Sequence, residues 1–145
     1  MKTVDISQKD VVKRTAIARG KILLGKRSIE MISKREVEKG DPLTVAELKA
    51  IEAVKSTPSA IAFCHPIPID FVSAESRLTD DGVEITVTVS SYAKTGVEME
   101  ALYGVSVGLL NVWDMVKKYE KDSRGQYPNT RITDIEVLKK EKEGQ

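Results

Sequence analysis

The segment "TGVEMEAL", residues 95–102, places two carboxylates at the start of a long apolar run. Glu98 and Glu100 flank Met99, and acidic residues in a first helical turn complement the helix macrodipole by about 0.3–1 kcal/mol. The same carboxylates are also candidates for a reaction site. Residues two apart diverge by about 200° in a helix but share one side of extended backbone. If both serve one site, the helix therefore begins at or after Glu98.

A second candidate, Asp114, lies in "NVWDMVKK", inside the apolar stripe of the same predicted helix. Aspartate is a poor helix former, and a carboxylate among core residues is costly unless it is paired. Lys117 is three residues further on and can face Asp114. The alternative is an ordinary surface ion pair worth a few tenths of a kcal/mol. Lys118 can fill that surface role instead, which leaves Lys117 for a functional one.

The chain's only cysteine and only histidine, Cys64 and His65, are adjacent in "AFCHPIPIDF". A histidine can exchange a proton near neutral pH or donate to phosphate, but a lone histidine can also be a hydrogen-bonded structural residue. Cys64 alone is typical of a small buried apolar side chain. Two neighbours are too few ligands for zinc, and on extended backbone they point to opposite sides, which argues against a Cys–His dyad. We therefore expect no metal site.

Three further cations are candidates for an anion site: Arg14, Lys39 of "EKGD" and Lys55 of "AVKS". Taken singly, each is typical of a solvated surface charge. The chain contains no P-loop, no Gly-rich dinucleotide fingerprint and no G-x-S-x-G elbow.

The spacing of Glu100 and Asp114 constrains any shared site. Fourteen helical residues bring the two side chains within about 40° of one face but separate them by about 21 Å along the axis. One small substrate cannot easily touch both in a single chain. We therefore predict a site at a subunit interface of a symmetric oligomer, where two copies of the helix supply the two ends.

Elements that could position these residues follow from the hydrophobic pattern. Alternation over residues 15–25 predicts a strand, which Gly20 weakens. A helix is predicted to follow and to stop at Gly40. "TVAE" at 44–47 is a capping box that opens a helix carrying Leu48, Ile51 and Val54. Thr57, followed by Pro58, repeats the helix-start signal.

The second half of the chain predicts a β-hairpin, a long helix and a last strand. Strand-like runs at 69–78 and 83–90 are joined by "TDDG", a strong hairpin signal. A helix is predicted from 96 to about 121 and a strand over 131–140. The whole order matches an α+β, ferredoxin-like split βαβ fold, an antiparallel sheet with helices on one face.

Composition limits the functional class. The 145 residues predict one domain, 1–145, and the 23 basic and 22 acidic residues give no net pull toward nucleic acid or membrane. One cysteine and an N-terminus without a signal-peptide core predict a cytoplasmic protein. The alternative function, an RNA-binding module, would need stacking aromatics on inner strands, and "VEITVTVS" has none.

Several motifs together resemble one family. "VDIS", "KGD", "AVKSTP", "CHPIPI", "KTGVEMEAL" and "DMVKK", in this order, are similar to molybdenum cofactor biosynthesis protein C (MoaC), the cyclic pyranopterin monophosphate synthase. The resemblance implies a hexamer built as a trimer of dimers, with active sites at dimer interfaces. It also implies a lyase that converts 3′,8-cyclo-7,8-dihydro-GTP to cyclic pyranopterin monophosphate and releases pyrophosphate, with no cofactor except magnesium that can accompany the triphosphate.

The resemblance also implies roles for individual residues. The catalytic aspartate falls on Asp114 and the two functional lysines on Lys39 and Lys117. Substrate contacts fall on Phe63, Cys64, His65, Met99, Glu100, Arg14 and Lys55, with Glu98 at the helix entrance or behind the substrate contacts. The tail departs from the family pattern, because "VLKKEKEGQ" lacks the usual Gly-rich segment after the lysine that Lys140 matches.

Overall fold

The computed structural model of the protein describes residues 1–143. Its elements, in chain order, are β1 (Val12–Leu23), α1 (Lys26–Ser33), α2 (Pro42–Lys55), β2 (Phe71–Thr79), β3 (Gly82–Ala93), α3 (Glu98–Glu120) and β4 (Arg131–Lys142). The strands form one antiparallel sheet in the order β2-β3-β1-β4. The predicted α+β, ferredoxin-like arrangement is confirmed. Gly144 and Gln145, which end the tail that departs from the family pattern, lie outside the described residues.

The core lies between the sheet and the two longer helices. Alternate residues of β1 and β3, such as Ala18 and Val87, are fully buried under α2 and α3. The helices pack closely because the residues between them are small. A side chain at Gly108 would place its Cβ 3.1 Å from the backbone oxygen of Ala46. No helix among residues 1–143 has the length and apolar character needed to cross a bilayer.

Gly20 does not interrupt β1 but gives α3 room to approach it. A Cβ at this position would lie 2.6 Å from Val105 Cγ1 of α3. Opposite Gly20, the β1–β4 pairing passes from Arg19–Glu136 to Lys21–Thr133, so β4 carries one extra residue. This β-bulge contains Asp134, whose φ is +56°. A second one-residue shift follows between Val137 and Lys139, so that Lys140 lies on the same face as Ile132.

The prediction that the first helix runs to Gly40 is wrong. α1 ends at Ser33, because the chain turns there into a Schellman motif: Glu36 N–H donates to Met31 O and Arg35 N–H to Ile32 O. Arg35 takes the left-handed conformation, with φ +57°, a position that glycine usually fills. The helical spacing of apolar residues continues past Ser33 because Val37 is buried, but Val37 lies in the turn that follows α1.

The predicted capping box at 44–47 is also wrong. α2 begins at Pro42, and the N-cap is Asp41, whose carboxylate accepts from Leu43 N–H at 3.0 Å. Glu47 instead accepts from Ser76 of β2, through both its amide and its hydroxyl. The helix packs through Ala46 and its neighbours one turn apart, so Leu48 projects outward and is 55% exposed.

Thr57 does not cap a following helix. Its hydroxyl donates to Ala53 O and Val54 O at 3.1 and 3.0 Å, so it closes the end of α2. A single 3₁₀ turn, Thr57–Ser59, follows. The remaining predicted elements are present, with ends that differ by at most three residues.

Glu120, the last residue of α3, joins three parts of the chain. Its buried carboxylate accepts from Gly25 N–H at 3.0 Å and from the hydroxyls of Ser28 and Thr130. Gly25 is the N-cap of α1 and has no side chain with which to cap it. The Glu120 carboxylate supplies that cap from a distant part of the sequence and complements the dipole of α1.

We expect Glu120→Ala to lower the free energy of unfolding by roughly 3 kcal/mol or more, because two buried hydroxyls and a partly buried N–H lose a charged acceptor. Glu120→Gln should lower it by less, since the amide keeps one acceptor oxygen. The measurement is chemical denaturation followed by circular dichroism. Glu136→Ala, which removes an exposed ion pair with Arg19, is the matched control and should cost about 0–1 kcal/mol. Equal losses in Glu120→Ala and Glu136→Ala would contradict the structural role of Glu120.

Candidate active site

The two glutamates of "TGVEMEAL" lie in the first turn of α3, which begins at Glu98. Val97, the N-cap, makes no side-chain cap hydrogen bond, so the acidic residues are the groups that complement this helix end. Their side chains contact different elements. Glu98 forms an ion pair with Lys140 of β4, whereas Glu100 accepts a hydrogen bond from Cys64 in the segment before β2. The helical divergence predicted for these residues is therefore present.

Glu100 is a buried and incompletely partnered carboxylate. It is 2% exposed, and its Oε2 lies 3.3 Å from the Cys64 thiol. Within residues 1–143, Oε1 has no hydrogen-bond partner. Burial raises the pKa of Glu100, and the nearby charge of Glu98 adds to that rise, while hydrogen bonds from its own backbone N–H and from Cys64 oppose it. A buried oxygen without a donor lowers the free energy of unfolding, and a bound donor would remove that cost.

The hydrogen bond between Cys64 and Glu100 lowers the pKa of the carboxyl but raises the pKa of the thiol. Burial raises the pKa of the Cys64 thiol to about 11, and its hydrogen bond to the Glu100 carboxylate and the charges of Glu100 and Glu98 add to this. The thiol therefore keeps its proton at neutral pH and acts as a hydrogen-bond donor rather than a nucleophile.

Glu98 is held as a charged group. Burial alone would raise its pKa, but the hydrogen bond and charge of Lys140, with Arg14 nearby, hold the pKa of Glu98 below its ordinary value. Lys140 reaches this position from β4, where it pairs with Ala16 of β1.

Arg14 fixes the chain that enters α3. It is 7% exposed and donates through Nε to Ala93 O at 3.0 Å and through Nη2 to Lys94 O at 3.3 Å. These bonds tie the end of β3 to β1 immediately before "TGVEMEAL". We call the set at this end of α3 the carboxylate cluster, which comprises Arg14, Cys64, Glu98, Glu100 and Lys140.

The other end of α3 carries Asp114 between two lysines. Lys39 Nζ lies 3.0 Å from Asp114 Oδ2 and Lys117 Nζ lies 3.1 Å from Oδ1. Lys39 also donates to the backbone oxygen of Asp114 at 3.0 Å. Hydrogen bonds from Lys39 and then Lys117, with the charges of both, hold the pKa of Asp114 below its ordinary value. We call these three residues the lysine–aspartate cluster.

The expectation that Asp114 lies among core positions is wrong for this chain. Its side chain is 57% exposed, because the buried stripe of α3 passes through Val112, Met115 and Val116 instead. The predicted i,i+3 pair with Lys117 is present, and Lys118 forms a separate surface ion pair with Glu38. Lys39, on a different segment, makes the cluster more than a pair within one helix.

The turn after α1 positions Lys39. Glu38 N–H donates to the Tyr119 hydroxyl of α3 at 3.0 Å, and Gly40 has a φ of +123°, which favours glycine. The same turn carries the Glu38–Lys118 ion pair. The Schellman end of α1 therefore has a consequence for the site, since it releases residues 34–41 to reach α3.

The remaining sequence candidates join neither cluster through a side-chain hydrogen bond or ion pair in the described part of the chain. Phe63 and Met99 are 51% and 42% exposed, and His65 is half-buried; each is adjacent in sequence to a member of the carboxylate cluster. Lys55 ends α2 and is exposed. Residues 1–143 contain no group of three or more His, Cys, Asp or Glu side chains that could hold a metal ion.

Sequence reasoning from the residues missed Lys140 as a partner of Glu98. The alternation of β4 places Lys140 on the same face as Ile132, but which residue of β1 lies opposite Lys140 depends on the two register shifts in the β1–β4 pairing. The family resemblance had matched Lys140 to a tail lysine, and that was the only signal that pointed to it.

The two clusters do not form one site within a single chain. Both lie on α3, where the fourteen residues from Glu100 to Asp114 correspond to about 21 Å of helix. Between them, α3 exposes apolar side chains, with Leu110 57% exposed. The separation that the sequence predicted is therefore present in the fold.

Comparison with known proteins identifies the family. The MoaC family matches residues 3–143. A protein of Sulfurisphaera tokodaii named "Probable cyclic pyranopterin monophosphate synthase" is 54% identical over 139 residues, which cover 96% of this chain and 92% of that protein. A protein of Thermococcus kodakarensis with the same name is 51% identical over 142 residues, 98% of this chain and 91% of that protein. A protein of Methanothermobacter thermautotrophicus, named "Probable cyclic pyranopterin monophosphate synthase accessory protein", is 51% identical over 98% of this chain and 89% of that protein.

Glu100→Gln and Glu98→Gln should change stability in opposite directions. A carboxyl whose pKa is raised by folding favours the folded state less once it is ionised, so Glu100→Gln should stabilise the free protein at pH 7 by about 0.5–2 kcal/mol, a gain that shrinks as the pH falls. Glu98 has a lowered pKa, so its contribution is present above its unfolded pKa and lost as pH falls through its folded pKa. Glu98→Gln should therefore destabilise the protein at pH 7. Thermal unfolding between pH 3 and 8 measures both, and a loss of stability in Glu100→Gln at pH 7 would refute the cost assigned to that carboxylate.

Proposed function

The chain belongs to the MoaC family, and from this premise we propose that it is a cyclic pyranopterin monophosphate synthase of molybdenum cofactor biosynthesis. The observation that carries the proposal is Asp114 held between Lys39 and Lys117 from two separate segments, at the opposite end of α3 from the buried, incompletely partnered Glu100. Cations are suited to phosphates and a carboxylate acceptor to the N–H groups of a guanine-derived ring.

The proposed reaction converts 3′,8-cyclo-7,8-dihydro-GTP to cyclic pyranopterin monophosphate. An oxygen of the substrate attacks the α-phosphorus, the bond from that phosphorus to the bridging oxygen breaks, and pyrophosphate leaves. Negative charge grows on the departing oxygens. The ring system is also opened and rebuilt, which requires several proton transfers.

The lysine–aspartate cluster is suited to the phosphate end of this reaction. The Lys39 and Lys117 ammonium groups would stabilise the departing oxygens, and positioned cations of this kind are among the strongest contributions to catalysis. Asp114 holds both ammonium groups at 3.0–3.1 Å and so fixes their spacing before substrate binds. A lysine freed from Asp114 by the substrate can donate a proton to a reacting atom, and Asp114 can then accept one.

The carboxylate cluster is suited to the ring end of the substrate. Glu100 would accept N–H groups of the guanine-derived ring, with Met99 beside it. His65 follows Cys64 directly and would donate to the substrate, as would Arg14 if its present backbone bonds are exchanged. Magnesium can accompany the triphosphate without a protein site of its own.

A shared site requires two copies of the chain, and α3 provides a geometry for this. If two α3 helices pack antiparallel with a two-fold axis near Val107, Glu100 of one protomer lies beside Asp114 of its partner. The exposed side chains of Met99 and Leu110 would then be covered. We propose that such dimers assemble into a hexamer as a trimer of dimers.

Asp114→Asn and Lys39→Ala should fold normally, because both side chains are largely exposed, yet should lose synthase activity by at least about a hundredfold. Pyrophosphate release from the purified cyclic nucleotide measures this. Lys49→Ala is the matched control, since it removes an exposed lysine that pairs with Glu52 on α2 and belongs to neither cluster, and it should keep near-normal activity. Near-normal turnover in both Asp114→Asn and Lys39→Ala would remove these residues from the chemistry.

Two inactive variants should restore activity when they are mixed. Asp114→Asn and Glu100→Gln, unfolded together and refolded, should give mixed dimers in which one of the two sites carries neither substitution. With random pairing, about one quarter of the wild-type activity should return. Mixing after refolding, without subunit exchange, is the control and should restore nothing. Absence of recovery in verified mixed dimers would show that one chain supplies the whole site.

A further inference from the structure

The contact between Cys64 and Glu100 indicates a function that neither residue has alone. Glu100 is 2% exposed, yet the Cys64 thiol at 3.3 Å is the only side-chain donor to its carboxylate among residues 1–143. Its second oxygen, Oε1, is buried and has no partner in this part of the chain. A carboxylate can accept about four hydrogen bonds, so the acceptor capacity of Oε1 is unused in the described part of the chain.

We propose that Cys64 is a positioning residue, whose thiol holds the Glu100 carboxylate by Oε2 and leaves Oε1 for an N–H donor of the bound guanine-derived ring. The proposal deepens the proposed function and rests on it for the identity of the ligand. Cys64 acts in it through Glu100, not by contact with the reacting atoms.

The weakness of a thiol as a donor is what suits it to this task. An ammonium group at the same place would neutralise the carboxylate and would compete with the ligand. A methyl group would leave the carboxylate free to change rotamer and to pair elsewhere. The thiol fixes the orientation of the Glu100 carboxylate and leaves Oε1 available to accept a hydrogen bond from an N–H donor.

The surroundings of the pair favour the protonated thiol. Besides Glu100, the charge that faces Cys64 is the carboxylate of Glu98, which pairs with Lys140 and lies near Arg14. Two carboxylates next to one thiol oppose its ionisation, and Lys140 and Arg14 are engaged with Glu98 and with backbone oxygens. The pair is therefore a donor and an acceptor, not a thiolate and an acid.

A spectroscopic test does not depend on enzyme activity. Because the chain has one cysteine, its S–H stretching band in the infrared reports Cys64 alone. A hydrogen bond to a carboxylate lowers the frequency of that band, so it should move to higher frequency in Glu100→Gln, which offers a weaker acceptor. Glu98→Gln is the matched control and should leave the band nearly unchanged. An identical band in the wild type and in Glu100→Gln would show that the thiol does not donate to Glu100 and would overturn the proposal.

A kinetic test examines the consequence for the ligand. In the full-length protein, Cys64→Ala should lower kcat/KM by about tenfold, mainly through a higher KM, and Cys64→Ser should restore most of it because the hydroxyl keeps a donor. In a Glu100→Gln background, Cys64→Ala should have almost no further effect on GTP affinity measured by calorimetry, because the two residues act as one unit. Equal losses in Cys64→Ser and Cys64→Ala, or fully additive effects with Glu100→Gln, would overturn the proposal.

GTP binding separates this proposal from the proposed function. GTP carries a guanine edge and a triphosphate, and calorimetry can measure its affinity for each variant without turnover. If the wild type releases no pyrophosphate from the cyclic nucleotide, the proposed function fails. A tenfold loss of GTP affinity in Cys64→Ala but not in Cys64→Ser would still support the positioning role, whereas equal affinities in all variants would refute it.

Discussion

The close packing of α3 against the sheet is the constraint on which the rest of the structure depends. Gly20 of β1 and Gly108 of α3 leave no room for a side chain at the contact, so the helix lies fixed in rotation and height. A rigid helix of 23 residues then decides where every functional group on it can be. Its two ends carry polar clusters and its middle carries the core, and about 21 Å separates Glu100 from Asp114.

The two clusters differ in the physical state of their charges. At the start of α3, burial and few donors raise the pKa of Glu100. Near its end, two exposed lysines lower the pKa of Asp114. A bound donor would stabilise the Glu100 carboxylate. Asp114 is already paired with two lysines, so an anion that binds there would replace Asp114 as the partner of a lysine. A substrate with a hydrogen-bond-donating ring and an anionic chain matches this division. The ring would supply donors to Glu100, and the anionic chain would bind the lysines of the lysine–aspartate cluster.

The sequence indicated the sheet and α3 well because their signals are local. Alternation in β1 and β3 and the apolar run after Glu100 depend only on which residues are buried. The sequence pattern did not predict features that are determined by residues distant in the chain. Arg35 ends α1 in a conformation that usually belongs to glycine, and the cap of α1 comes from Glu120, some ninety residues away. Asp114 was placed in the core because spacing alone cannot tell which side of a long helix faces the sheet. The pairing of Glu98 with Lys140 depends on two register shifts between β1 and β4 that alternation does not reveal.

Glu100 is a costly residue to keep at a buried position. A buried oxygen without a donor lowers stability, and a leucine or glutamine at that position would fill the space at less cost. The cost is understandable if the free chain is not the working state. In the proposed dimer, the segment that carries Cys64 and Glu100 would face the partner's lysine–aspartate cluster, and a ligand held there would supply the missing donors. The unsatisfied carboxylate, the exposed apolar side chains of α3 and the distance between the two clusters would then have one common explanation. The proposed site would be complete only when two chains and the ligand come together.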